Sequence, residues 1–312
     1  MKHGFYSVAG AGAAEAVGFT YMGGRGLWHG GGDRGITTID YVTISTTGNA
    51  TDFGDSTVTR YASSGCSNVT RGVWSGGRHD VWDGGWTGGT YINEIDYVTI
   101  ATTGNATDFG DLTSTNGYLA ACSDGTKGVI GGGTNNNVID YITIATTGNA
   151  TDFGNVTVAR FGTAACSDGT KGLFGGGVNG GYQNTIDYIT IATTGNAADF
   201  GDLTVAGRDP GSCSDGTKGL WGGGYNTNGF FNTIDYVTIA TTGNATDFGD
   251  LTVTRGYLSA CSDGTKGVWG GGQNSNWGRE YTIDYVTIAT TGNATDFGDL
   301  TDDRMRVAST SG

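Results

Sequence analysis

Residues 283–301, IDYVTIATTGNATDFGDLT, decide the fold, because nearly the same wording also begins at Ile39, Ile95, Ile139, Ile186 and Ile234. Successive copies start 56, 44, 47, 48 and 49 residues apart. A period of about 40–50 residues belongs to propeller blades and exceeds leucine-rich, ankyrin and tetratricopeptide periods, so a propeller or β-solenoid is expected. Outward from this stretch, one unit divides into four strand-like pieces. The first, 256–262, alternates apolar and small residues and ends at Asp263-Gly264. Asp-Gly offers two residues that tolerate positive φ, which predicts a type I′ hairpin there and at Asp124-Gly125, Asp168-Gly169 and Asp215-Gly216. The second piece, 266–269, is closed by Gly270, Gly271 and Gly272, and the third, 283–290, is rich in β-branched and aromatic residues. Gly292-Asn293 turns the chain into the fourth, 295–301. Four short antiparallel strands per repeat make a blade, and no segment has a helical period long enough to compete.

Composition agrees. Glycine accounts for 61 of 312 residues with a single proline, which excludes a collagen triple helix. Seven Trp, fifteen Tyr and twelve Phe are too many for a disordered low-complexity tract. The net charge of −14 argues against nucleic acid and anionic lipid as partners, and no apolar run approaches the ~20 residues of a membrane span. The apolar stretch near the N-terminus is interrupted by glycine, which speaks against a secretion signal.

The units resemble kelch repeats, in which an arginine leads the first strand and a glycine doublet ends the second. Arg60, Arg160 and Arg255 match the arginine, and Gly76-Gly77, Gly132-Gly133, Gly176-Gly177, Gly223-Gly224 and Gly271-Gly272 match the doublet. Phe53, Phe109, Phe153, Phe200, Phe248 and Phe297 stand where the kelch fourth strand has Trp, and Asn116 replaces one arginine. The resemblance implies a six-bladed, all-β, kelch-like β-propeller forming one domain over 1–312. Its blades run approximately over 14–59, 60–115, 116–159, 160–206, 207–254 and 255–303, with 304–312 as closing strand.

First-strand candidates number seven, one more than the blades, because 17–22 and 304–311 both qualify; Arg304 aligns with Arg255, and Thr310 with Cys261. The ring is therefore expected to close with terminal strands, and a surplus strand left free would be an exposed edge for a neighbouring subunit, giving a homo-oligomer.

Strand order places the SDGTK and TTGNAT turns on one face, nearly identical in all blades. The second-to-third loops and the blade-to-blade connections share the other face, where the repeats differ. The variable loops are rich in aromatic residues and Asn, a paratope-like composition. Candidate binding residues are Trp82, Asp83, Trp86, Tyr91, Asn136, Tyr182, Tyr225, Phe230, Trp277 and Tyr281, with the long loop 78–94 foremost. The competing reading is that these aromatics fold back over the blade ends.

Cys66, Cys122, Cys166, Cys213 and Cys261 recur once per blade, too far apart for disulfides, and are expected as small buried hydrophobes. The six Asp of the IDY motif are expected to make repeated hydrogen bonds between blades. Neither CxxC spacing, an EF-hand pattern, a phosphate-binding glycine motif nor a nucleophile elbow occurs, so no metal, no cofactor and no catalytic residue is assigned, and the expectation is a non-enzymatic protein.

The repeat text also resembles kelch-like arrays in predicted proteins of marine bacteriophages, particularly cyanophages. That resemblance implies a virion structural protein, serving as tail fibre, decoration or host-recognition module. It would sit on the extracellular particle, with other virion proteins and a host-surface protein or glycan as partners. The alternative is a free, lectin-like glycan-binding propeller.

Overall fold

The last repeat shows how this wording becomes a sheet. Ser259–Ser262, Lys266–Gly270, Glu280–Thr287 and Thr295–Arg304 pair antiparallel in chain order. The chain turns from the first strand into the second on Gly264, which has φ 82° while Asp263 does not take positive φ. A type I′ hairpin needs positive φ at both central residues, and neither neighbour of Gly264 has it, so the type I′ expectation is corrected. The Asp263 carboxylate instead accepts hydrogen bonds from the Thr265 and Lys266 amides. A second correction concerns the start of the first strand, which lies at Ser259 because Tyr257 adopts φ 59° and bends the chain before it.

A computed structural model describes residues 23–32, 36–79, 89–134 and 136–312, and in it six such four-stranded sheets form a closed ring, a β-propeller. The inner strands Ser64–Ser67, Leu119–Ser123, Ala164–Ser167, Gly211–Ser214, Ser259–Ser262 and Ala308–Ser311 each contact the next around the axis. The first blade consists of Arg25–His29, Thr38–Thr43 and Thr51–Asp55, completed by Ala308–Ser311 on the inside. Trp28 lies opposite Ser309, and His29 opposite Ala308. The C-terminal candidate thus takes the inner place; the other candidate, 17–22, lies outside the described residues.

The core lies between blades. One cluster joins Trp28, Val42 and Ile44 of the first blade to Cys261, Val268, Ile283 and Phe297 of the last. Four joints repeat around the ring and account for the repeated wording. At the outer rim, each TTGN turn docks on the preceding blade: the Gly104 amide donates to the Phe53 carbonyl at 2.8 Å, and Ala106 to Asp55 at 2.7 Å. A Cβ on Gly54 would lie 2.4 Å from the Gly104 carbonyl oxygen, so the Phe-Gly step exists to admit this turn. Above it, Thr57, Thr113, Thr157, Thr204, Thr252 and Thr301 donate to Asp96, Asp140, Asp187, Asp235, Asp284 and Asp40 of the next blade. Those are the expected inter-blade bonds of the IDY aspartates. On the constant face, six cations (Arg25, Arg71, Lys127, Lys171, Lys218 and Lys266) cross to carbonyls of the next blade while lying over their own blade's tyrosine.

Near the axis, the Cys-Ser pair forms the fourth joint. All five cysteines are buried and free of disulfides, and burial raises the Cys66 thiol to about 12. Cys66 faces Gly128, Cys122 faces Gly172, Cys166 faces Gly219, Cys213 faces Gly267 and Cys261 faces Gly26, while Thr310 takes the sixth place against Gly72. A Cβ on Gly172 would stand 2.6 Å from the Cys122 sulfur. Gly172→Ala is therefore expected to cost about 1–3 kcal/mol through overpacking. Adding Cys122→Ala should return part of that loss, as urea unfolding of the single and double variants would show. The adjacent serines complete the joint: the Ser123, Ser167 and Ser214 hydroxyls each donate at 2.6 Å to the carbonyl of the preceding blade's serine.

Candidate functional site

These joints occupy the constant face and the rim, which leaves the variable face to differ. Connections and second-to-third loops meet there directly, as the strand order predicts. Arg208 and Tyr225 exchange backbone hydrogen bonds at 3.0 Å, Tyr61 bridges to Arg78, and Arg255–Gly256 pairs with Gln273–Asn274.

Where each connection reaches the axis, one residue takes positive φ: Ala62, Tyr118, Gly162, Asp209, Tyr257 and Arg306. Each donates its amide to the carbonyl of the one before, from Ala62 to Arg306 at 3.0 Å round to Arg306 to Tyr257 at 2.7 Å. Six hydrogen bonds thus close a hoop around the channel mouth. Left-handed backbone is costly for Tyr and Arg, and a closed hoop is the kind of surrounding structure that can hold it. The channel beneath encloses about 90 Å³, lined by small residues and hydroxyls, including Ser63, Ser64, Thr163, Ser212, Ser259 and Ser309.

Four side chains of the hoop carry chemistry. The Arg306 guanidinium lies over Tyr257, Tyr61 and Tyr118, 5.1, 5.3 and 5.8 Å from their ring centroids. Burial works against its charge, but Tyr118, Tyr257 and Asp209 outweigh burial and raise its pKa. Asp209 has its carboxyl pKa raised by burial, against the pull of Arg208 and Arg306. Its Oδ2 lies 3.5 Å from Arg208 Nε. Burial and the Asp209 charge lift the Tyr257 phenol to about 12, and that phenol accepts a 2.6 Å hydrogen bond from Arg208.

From Tyr257 an aromatic ridge crosses the loops of blades four to six. Phe230 is 6.1 Å from Tyr257, Tyr225 is 4.9 Å from Phe230, and Trp277 lies 5.4 Å from Phe230 and 5.8 Å from Tyr225. Tyr182 joins at 6.0 Å from Tyr225, and Arg208 lies over the rings of Tyr257, Tyr225 and Phe161. Trp277 is 61% exposed.

Four of the sequence-derived candidates, Tyr182, Tyr225, Phe230 and Trp277, therefore form one surface. Tyr281 is exposed outside this stack. Tyr91 instead lies under Arg78 and accepts a hydrogen bond from Thr134 of the next blade at 3.2 Å, and Asn136 caps the Val138 amide at 2.6 Å; neither joins the stack. Phe231, beside Phe230, folds back on the blade, where its ring occupies the space a Cβ on Gly224 would need. Trp82, Asp83 and Trp86 lie outside the described residues. Sequence reasoning missed Arg208, Asp209, Tyr118, Tyr257 and Arg306. The available signal was positional, since Arg306 and Tyr257 occupy one repeat position, two after the leading arginine.

Fold and site together define a six-bladed β-propeller with an aromatic, arginine-bearing mouth on one face. Neither a protein-family model nor a curated protein matches the chain.

Proposed function

We propose that this is a non-enzymatic recognition propeller, carried on a bacteriophage particle, that meets a host-surface target through its variable face. The observation that carries the binding reading is the aromatic ridge: Tyr182, Tyr225, Phe230 and Trp277 converge from three blades onto one surface, with Trp277 mostly in solvent. Exposed aromatics assembled in this way supply contact area at low entropic cost. The location on a virion is supported by the resemblance of the repeat text.

Binding of purified protein to host cells or to an immobilised glycan array tests the first part. Trp277→Ala combined with Tyr225→Ala is expected to weaken binding roughly tenfold or more with an unchanged melting temperature. Thr242→Ala on the constant face should leave binding as it is. Equal binding by the aromatic double variant would refute the assignment of this face. Mass spectrometry of purified particles tests the location, and absence of the protein from virions would sink it.

A further inference from the structure

Among the described residues, every cation outside the constant-face crossings and the blade interiors lies on the variable face. Of the chain's 16 Lys and Arg, six form the constant-face crossings and four, Arg60, Arg160, Arg255 and Arg304, are buried in the blades. The other described cations, Arg78, Arg208, Arg279 and Arg306, all belong to variable-face loops or connections. Two of them, Arg208 and Arg306, flank one carboxylate, Asp209, at the mouth, which leaves a net positive charge there.

Arg306 is the group whose chemistry is unspent. Its partners are aromatic faces, its Nε is buried, and no described residue accepts a hydrogen bond from its guanidinium. Unbonded buried donors are costly, and a guanidinium fork matches a carboxylate by two parallel hydrogen bonds. A ligand that suits this mouth brings a planar anion for Arg306 and a flat apolar face for the aromatic ridge that runs from it to Trp277.

We infer that the mouth binds an acidic glycan, seating the carboxylate of a uronic or sialic acid residue on Arg306 while the sugars beyond it lie along the ridge toward Trp277. The inference rests on the variable face being the recognition surface. A sugar suits this surface because the ridge beside Arg306 presents aromatic rings for stacking that end at the exposed Trp277.

The test uses the full chain against an array of carboxylated oligosaccharides, each beside its carboxyl-reduced neutral twin, with an acidic peptide as a third arm. Wild type is expected to prefer at least one acidic glycan over its twin by roughly tenfold or more. Arg306→Gln should abolish that preference while keeping the affinity for the neutral twin; Arg306→Lys, which keeps the charge without the fork, should retain part of it. Trp277→Ala should weaken both twins alike. Melting temperatures establish that the variants fold. Equal binding of acidic and neutral twins, or a preference that survives in Arg306→Gln, overturns the carboxylate seat and leaves the recognition face standing. Binding of the acidic peptide alone overturns the glycan in favour of a protein partner. No binding to any arm overturns the acidic-glycan assignment, while loss of host-cell binding in the aromatic double variant would still uphold the face.

Discussion

Deleting residues 304–312 is expected to abolish the folded monomer at room temperature. The segment supplies the only described inner strand of the first blade, and Met305, Val307 and Ala308 are buried there. Its loss also strips Asp40, itself fully buried, of the Arg304 guanidinium at 2.9 Å. Leaving one partner of a buried ion pair uncompensated costs about 3–5 kcal/mol by itself. Against a total stability of about 5–15 kcal/mol, that loss together with an opened ring leaves little margin. Gel filtration and thermal melting should show an aggregated or non-cooperative species, with partial recovery when a peptide of residues 304–312 is supplied in trans. An unchanged melting temperature would mean that another segment fills the inner place.

The second large effect is expected from Asp284→Ala. Arg255 is fully buried and donates to Asp284 at 3.0 Å, to the Thr282 carbonyl at 2.7 Å and to the Trp269 carbonyl at 3.2 Å. Burial disfavours the charge on both partners, raising the Asp284 carboxyl and lowering the Arg255 guanidinium. The pair is therefore held by mutual compensation, and removing the carboxylate should cost about 3–5 kcal/mol in urea unfolding. The fifth blade provides the contrast. Gly207 stands there at the position of the leading arginine, and burial raises the Asp235 carboxyl, which keeps hydrogen bonds from Thr204. Asp235→Ala leaves no buried cation behind and should cost markedly less, about 1–2 kcal/mol. Equal losses at the two sites would show that the arginine pairing is not what the aspartate is for.

The ring was legible in the repeat because its signals are local or periodic: alternating strand residues, glycine at the hairpins, an aspartate that recurs with its threonine. The sequence also suggested that the cysteines are buried and unpaired, since a residue repeating once per blade sits too far from its own kind for a disulfide. What the repeat text concealed was the mouth. Tyr118, Tyr257 and Arg306 read as the beginnings of strands because their neighbours alternate correctly, and nothing in a tyrosine or arginine announces left-handed backbone. That conformation is imposed by a hoop of six hydrogen bonds closing over residues from all six blades, a constraint no single repeat contains. Likewise, Tyr91 and Tyr225 look alike in their loops, yet one is held between Arg78 and Thr134 while the other joins a surface built from three blades.

Ring closure underlies both the joints and the mouth, because the hoop needs Arg306 in place and the inner ring needs Ala308–Ser311 on Arg25–His29. Amide hydrogen exchange read on the peptide 305–312 tests it most directly. Protection comparable to that of the inner strand Ser259–Ser262, lost only on global unfolding, is the expected result. Exchange complete within seconds in the native protein, while residues 259–262 stay protected, would contradict it.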